Sequence, residues 1–256
     1  MRRVMAVLAM GALAAAAVVL ILDRTGARAF RITVVEGLTV AQTLESLAEQ
    51  TRFEVGDLTD PLLDGSVTSP LLPYPPGDLQ DWEGLLFPDT YEVTDRFEAA
   101  DILQLLADTA VSRVASIDWS GAEGRGMTPY QGIVIASMIE RETHFDEERP
   151  IVASVIYNRL EIGMPLQIDA TVIYALGGNP PGGLTYADLE VDSPYNTYRT
   201  TGLPPTPISG VGAASLAAAA NPAETEYLFY VFVPSAGRHL FTDDFDEFRE
   251  FQRIDD

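Results

Sequence analysis

Two carboxylates stand close together in the segment Ile139-Glu140-Arg141-Glu142-Thr143, and a carboxyl group in a partly apolar setting can serve as a general acid or base. The residues before them recur at helical spacing. Ile135, Met138, Ile139 and Glu142 form one stripe, and Ile133, Ala136, Ser137 and Glu140 form another, so the two acids point to different faces. Side chains on a helix lean toward its amino terminus, which lays Glu140 over the small Ala136 and Ser137, and Glu142 over the bulkier Met138 and Ile139. Room beside the small residues favours Glu140 as the working acid. The same spacing also fits a solvated charge or an ion pair with an arginine such as Arg149 or Arg159.

The remaining inventory removes several kinds of chemistry. All 16 basic residues are arginines, so there is no lysine for a Schiff base, a phosphate-binding loop or a serine-lysine pair. There is no cysteine, hence no disulfide, thiolate nucleophile, thiolate metal site or acylated-cysteine anchor. With His144 and His239 as its 2 histidines, the chain is expected to hold neither a metal nor a cofactor. A net charge of -22 and a pI near 4.2 argue against unspecific binding to nucleic acid or anionic lipid, because phosphates would be repelled. A neutral or cationic partner fits better.

The elements that must position these residues begin with an uncharged run from Val4 to Leu22, preceded by Arg2 and Arg3 and closed by Asp23 and Arg24. As a helix it would span about 28 Å, close to the hydrocarbon thickness of a bilayer. Positive charge before it puts the start of the chain in the cytoplasm and the remainder outside. A cleaved signal peptide is the competing reading, and it places the working part in the same compartment. Phe30 to Val35 alternates as a strand, Glu36-Gly37 makes a turn, and Thr39 caps a helix bearing Val40, Leu44 and Leu47. Residues 69–78 hold four prolines and a glycine, which disfavour regular structure.

A helix is expected from about Glu98 to Ile117, and Thr128 with Gln131 forms a capping box for the helix that carries the glutamates. A further helix runs from Pro150 to a glycine stop at Gly163, and a short one lies near Gly212 to Ala220. Tyr227 to Val233 and His239 to Thr242 read as a hairpin. The fold class is α+β.

Several segments resemble the endolytic murein transglycosylases of the YceG-like family. They are Ala136 to Thr143, Val152 to Leu160, Ile162 to Tyr174, Ser193 to Tyr198, Gly202 to Ile208, Tyr227 to Val231 with His239 to Phe241, and Glu83 to Tyr91. Ile32 to Val40 resembles the opening of a LysM-like sugar-binding module. Departures from the family pattern are Ala170 in place of a usual proline, Gly210-Val211-Gly212 in place of an asparagine-proline-glycine turn, and Glu247-Phe248 in place of a glutamate-histidine pair.

With the uncharged run read as a membrane anchor over residues 1–24, the resemblance implies a LysM-like module, with the proline-rich linker, over 25–80 and a mixed α/β catalytic domain over 81–256 built around the glutamate-bearing helix. It implies cleavage of the β-1,4 bond between N-acetylmuramic acid and N-acetylglucosamine in nascent peptidoglycan, beside the wall-synthesising machinery at the cell membrane. A glycosidase normally flanks the bond with two carboxylates. A lytic transglycosylase manages with one, which here would be Glu140. It protonates the leaving oxygen and then takes the proton of the C6 hydroxyl as a 1,6-anhydro ring closes. The resemblance also puts Gln167, Asp169, Tyr195, Asn196, Tyr198 and His239 near the sugar. Alternatives are a water-using muramidase with Asp169 as the second carboxylate, and a wall-binding scaffold without activity.

Overall fold

The computed structural model describes residues 26–255, so the expected membrane anchor lies outside the described residues. Within them no helix is long and apolar enough to cross a membrane.

The first part of the chain is built from strand β1 (Ala29–Thr33), helices α1 (Val40–Gln50) and α2 (Val55–Leu63), strand β2 (Thr90–Thr94) and helix α3 (Ala99–Ala115). Thr39 caps α1, and its side chain and that of Gln42 satisfy each other's backbone N–H groups. β1 and β2 pair antiparallel from Ala29 opposite Thr94 to Thr33 opposite Thr90. The small sheet therefore takes one strand from each side of the proline-rich stretch, which itself holds no helix or strand. Leu44, Leu47, Leu58, Leu62, Leu103 and Leu106 are fully buried between the helices. Trp82 closes this core, and its indole N–H donates to the Leu62 carbonyl at 2.8 Å, so a large apolar ring is buried without leaving its polar atom unpaired.

The rest comprises α4 (Ser120–Glu123), α5 (Pro129–Glu142), α6 (Arg149–Glu161), α7 (Asp169–Ala175), α8 (Ala213–Ala220), strands β3 (Phe229–Val233) and β4 (Arg238–Thr242), and α9 (Phe245–Phe251). α5 is the central element, buried without interruption from Gly132 to Glu140. A helix covered on all sides must meet close neighbours, and its small residues allow this. At Gly132 a β-carbon would sit 2.1 Å from the Trp119 ring. The alanine-rich α8 packs along α5. β3 and β4 form an antiparallel hairpin with Phe232 opposite His239. α9 covers it by setting Phe245 and Phe248 against Phe229, with centroids 5.5 and 5.3 Å apart. The result is a mixed α/β fold with two separate two-stranded sheets among the described residues.

Candidate active site

α5 starts at the capping box of Thr128 and Gln131, with Pro129 in its first turn, and ends at Glu142. Glu140 in its last turn is 8% exposed, and both carboxylate oxygens have a donor. Arg149 Nη1 lies 3.4 Å from Oε1, and the Gly212 N–H donates to Oε2 at 2.9 Å. Arg149 is held in turn by Ser215 Oγ at 2.6 Å and Asp146 Oδ1 at 3.1 Å. The arginine pairing allowed by the sequence thus forms with Arg149. Arg159 instead donates to the carbonyls of Leu228 and Leu166, both at 2.6 Å.

The space over Ala136 and Ser137 is used differently from the expectation. Ser137 is fully buried; its Oγ accepts from the Ile208 N–H at 3.0 Å, and its carbonyl accepts from Ser209 Oγ at 3.3 Å. The small residues admit the protein's own segment 206–212, which brings the Gly212 N–H to Glu140. Room for a ligand lies on the other side.

There a cavity of about 510 Å³ is lined by Glu140, Arg141, His144, Arg149 and the turn from Val35 to Leu38 that follows β1. The turn is fixed in place by its backbone. Gly37 N–H donates to the Gly210 carbonyl at 2.9 Å, Gly210 N–H donates to Leu38 at 2.7 Å, and Arg141 Nη1 donates to the Gly37 carbonyl at 2.9 Å. The first part of the chain therefore forms one wall of the cleft, and α5 forms the other. Further cavities adjoin at both ends, one of about 500 Å³ sharing Val35 and Glu36, the other of about 460 Å³ sharing Arg141.

Glu36, on the turn, is a second carboxylate in this cleft. Partial burial raises its pKa, the negative charge of Glu140 raises it further, and Arg149 opposes both. Glu142 faces away and accepts from Tyr230 Oη of β3 at 2.7 Å, with burial pushing its carboxyl up. The two glutamates of the segment thus serve different faces of α5.

The other sequence-selected residues do not line the cavity beside Glu140. Asn196 is fully buried; its side-chain amide donates to the Leu189 and Val191 carbonyls at 2.9 and 2.8 Å, and its side-chain oxygen accepts from Tyr198 N–H. Tyr195 packs on Tyr174 and shares a 2.8 Å hydrogen bond with Thr206. Tyr198 Oη donates to Asp169 at 2.5 Å. Exposed Gln167 has a positive φ of 51° and donates its N–H to the Thr197 carbonyl. His239 meets Glu148 through its ring at 2.6 Å and its N–H at 3.0 Å. Burial alone would raise the Glu148 carboxyl, but the hydrogen bonds from His239 and Thr143 outweigh it and hold it below the usual range.

Glu36, Arg141, His144 and Gly212 were not singled out from the sequence as site residues. The Glu36-Gly37 turn was visible, but its approach to α5 spans 104 residues at the Gly37–Arg141 contact, and spacing carries no signal at that distance.

The chain is 36% identical over 225 residues to an endolytic murein transglycosylase of Bacillus subtilis, an alignment covering 84% of this chain and 62% of that protein. It is 32% identical over 161 residues to the protein of the same name in Streptococcus pneumoniae, covering 61% of this chain and 29% of the relative. The chain thus spans less than two thirds of the length of either. A crystal structure of a YceG-like protein from Listeria monocytogenes superposes with a TM-score of 0.74 at 31% identity, over 86% of this chain and 75% of that one. Since the YceG-like family profile matches residues 9–253, nearly the whole sequence, the chain belongs to the YceG-like family.

Proposed function

We propose that this chain is an endolytic peptidoglycan lytic transglycosylase that cuts the β-1,4 bond after N-acetylmuramic acid and leaves a 1,6-anhydro end. The observation that carries the reading is Glu140 itself, a nearly buried carboxyl group opening onto a cavity between two parts of the fold. The name carried by the B. subtilis and S. pneumoniae relatives supports it.

Glu140 donates a proton to the glycosidic oxygen as the bond to C1 breaks. The C6 hydroxyl of the same sugar then attacks C1, and its proton returns to Glu140, so no water is consumed. Arg149 and the Gly212 N–H hold the two oxygens and fix the direction of the carboxyl group. Arg141 and His144 offer donors to sugar hydroxyl and acetamido groups. An internal cut needs room on both sides of the bond, which the cavities adjoining at the Glu36 and Arg141 ends supply.

In this reading the uncharged run 4–22 anchors the protein in the cell membrane with the bulk outside. Residues 25–80 supply a LysM-like module gripping the glycan, and the enzyme ends strand elongation beside the wall-synthesising machinery. Gln167, Asp169, Tyr195, Asn196, Tyr198 and His239 belong to this reading as further sugar-binding residues, outside the cavity that Glu140 lines.

The test is digestion of purified glycan strands by the native chain, Glu140→Gln and Glu142→Gln. Loss of cutting in the first variant and its persistence in the second is expected. Equal loss in both, or in neither, would reject Glu140 as the acid.

A further inference from the structure

The geometry points to Glu36 as a second catalytic carboxylate, one that contacts the sugar and stabilises the positive charge developing at C1 and the ring oxygen while Glu140 handles the proton. This inference rests on the reading above and deepens it.

Four observations support it. Glu36 lines the same cavity as Glu140 and also the adjoining one, so it stands at the junction of the two. Its backbone is fixed on both sides, by Val34 N–H to the Asp89 carbonyl at 3.0 Å and by Gly37 N–H to Gly210 at 2.9 Å. Its carboxylate lies against Gly212, where an added β-carbon would be 2.2 Å from Oε1. Gly212 also donates its N–H to Glu140, so one glycine separates the two acids. Finally, no hydrogen bond links the Glu36 carboxylate to any of the described residues. A partly buried carboxylate with no hydrogen-bond partner, and with Arg149 as the cation near it, can turn toward a substrate.

The chemistry can use such a group even though one carboxylate suffices for the proton transfers. As the bond between C1 and the leaving oxygen breaks, the departing oxygen takes the proton of Glu140 and the sugar ring becomes cationic. Arg149 is of the wrong sign to stabilise that cation. Glu36 is the other anion lining the cavity, and a charge in a partly enclosed site lowers the barrier more than one in bulk water. The C6 oxygen then bonds to C1 and its proton returns to Glu140. Glu36 forms no bond and exchanges no proton throughout.

The experiment compares native protein, Glu36→Gln, Glu36→Asp, Gly212→Ala and Glu140→Gln as full chains on purified glycan strands, with sedimentation binding and thermal melting alongside. Glu36→Gln removes the charge at constant shape and should lower kcat on the order of 100-fold, with binding and melting unchanged. Glu36→Asp keeps the charge and should recover part of the loss. Gly212 has φ -80°, which alanine adopts readily, so Gly212→Ala should fold, displace the Glu36 carboxylate and slow the reaction too.

Glu36→Gln within about threefold of native kcat, or a loss confined to KM, would overturn the inference. If the native chain forms anhydro ends and Glu140→Gln abolishes them while Glu36→Gln cuts at full rate, this inference alone fails. If the native chain forms none, both fail.

Discussion

Arg149 and Glu140 form an ion pair 3.4 Å long, with both side chains less than a tenth exposed. Removing one partner of a buried pair strands the other charge. Arg149→Met should therefore lower stability by about 3 kcal/mol, and it should also reduce cutting because Glu140 loses one of its two anchors. Urea unfolding and the digestion assay check the two effects separately. Unchanged stability would show that solvent in the cavity already screens the pair.

Glu83 provides a pH test of how the first part of the fold is seated. It is 2% exposed, accepts from the Val40 N–H at the start of α1 at 2.9 Å and from Tyr174 Oη of α7 at 3.2 Å, and burial raises its pKa to about 8. A carboxyl whose folded pKa exceeds its unfolded value near 4.5 holds its proton more tightly when folded. This contribution is complete below about pH 4.5 and is lost as pH rises to about 8. Glu83→Gln removes the charge, keeps the Val40 bond through its amide oxygen and can donate its amide N–H to Tyr174 Oη, so its melting temperature should exceed that of the native chain at pH 8 and converge with it at pH 5. Parallel pH profiles would contradict the assignment.

His239 and Glu148 tie the hairpin to the loop between α5 and α6 through two hydrogen bonds, and Thr143 supplies a third to the same carboxylate. Their expected role is structural support. His239→Ala should destabilise by about 1 to 3 kcal/mol, read as a lower melting temperature, with KM for glycan nearly unchanged. A raised KM at unchanged stability would instead place His239 in contact with the sugar.

Elements with local signals were legible in the sequence. The cap at Thr39, the capping box at Thr128, the α3 helix and the closing hairpin all occur where spacing puts them. β2 was hidden because its partner β1 lies some sixty residues earlier, and pairing at that range leaves no periodic trace. α2 has only nine residues and contains Pro61. α7 is a seven-residue helix containing β-branched Thr171, Val172 and Ile173, a composition that favours strands.

The site divides in the same way. Opposite faces for Glu140 and Glu142 follow from helical periodicity alone, and they part as geometry requires. The use of the small Ala136 and Ser137 could not be foreseen, since small residues accommodate a neighbouring backbone as readily as a ligand. Glu36 reaches the cleft through tertiary packing of a turn that looks ordinary in the sequence.

The most direct measurement of the central claim is the mass of the chain ends released when purified glycan strands are digested by the native protein and by Glu140→Gln. The account predicts internal fragments ending in 1,6-anhydro-N-acetylmuramic acid, each one water lighter than the hydrolytic product, and none of them with Glu140→Gln. Reducing ends from the native protein, or anhydro ends persisting in the variant, would contradict it.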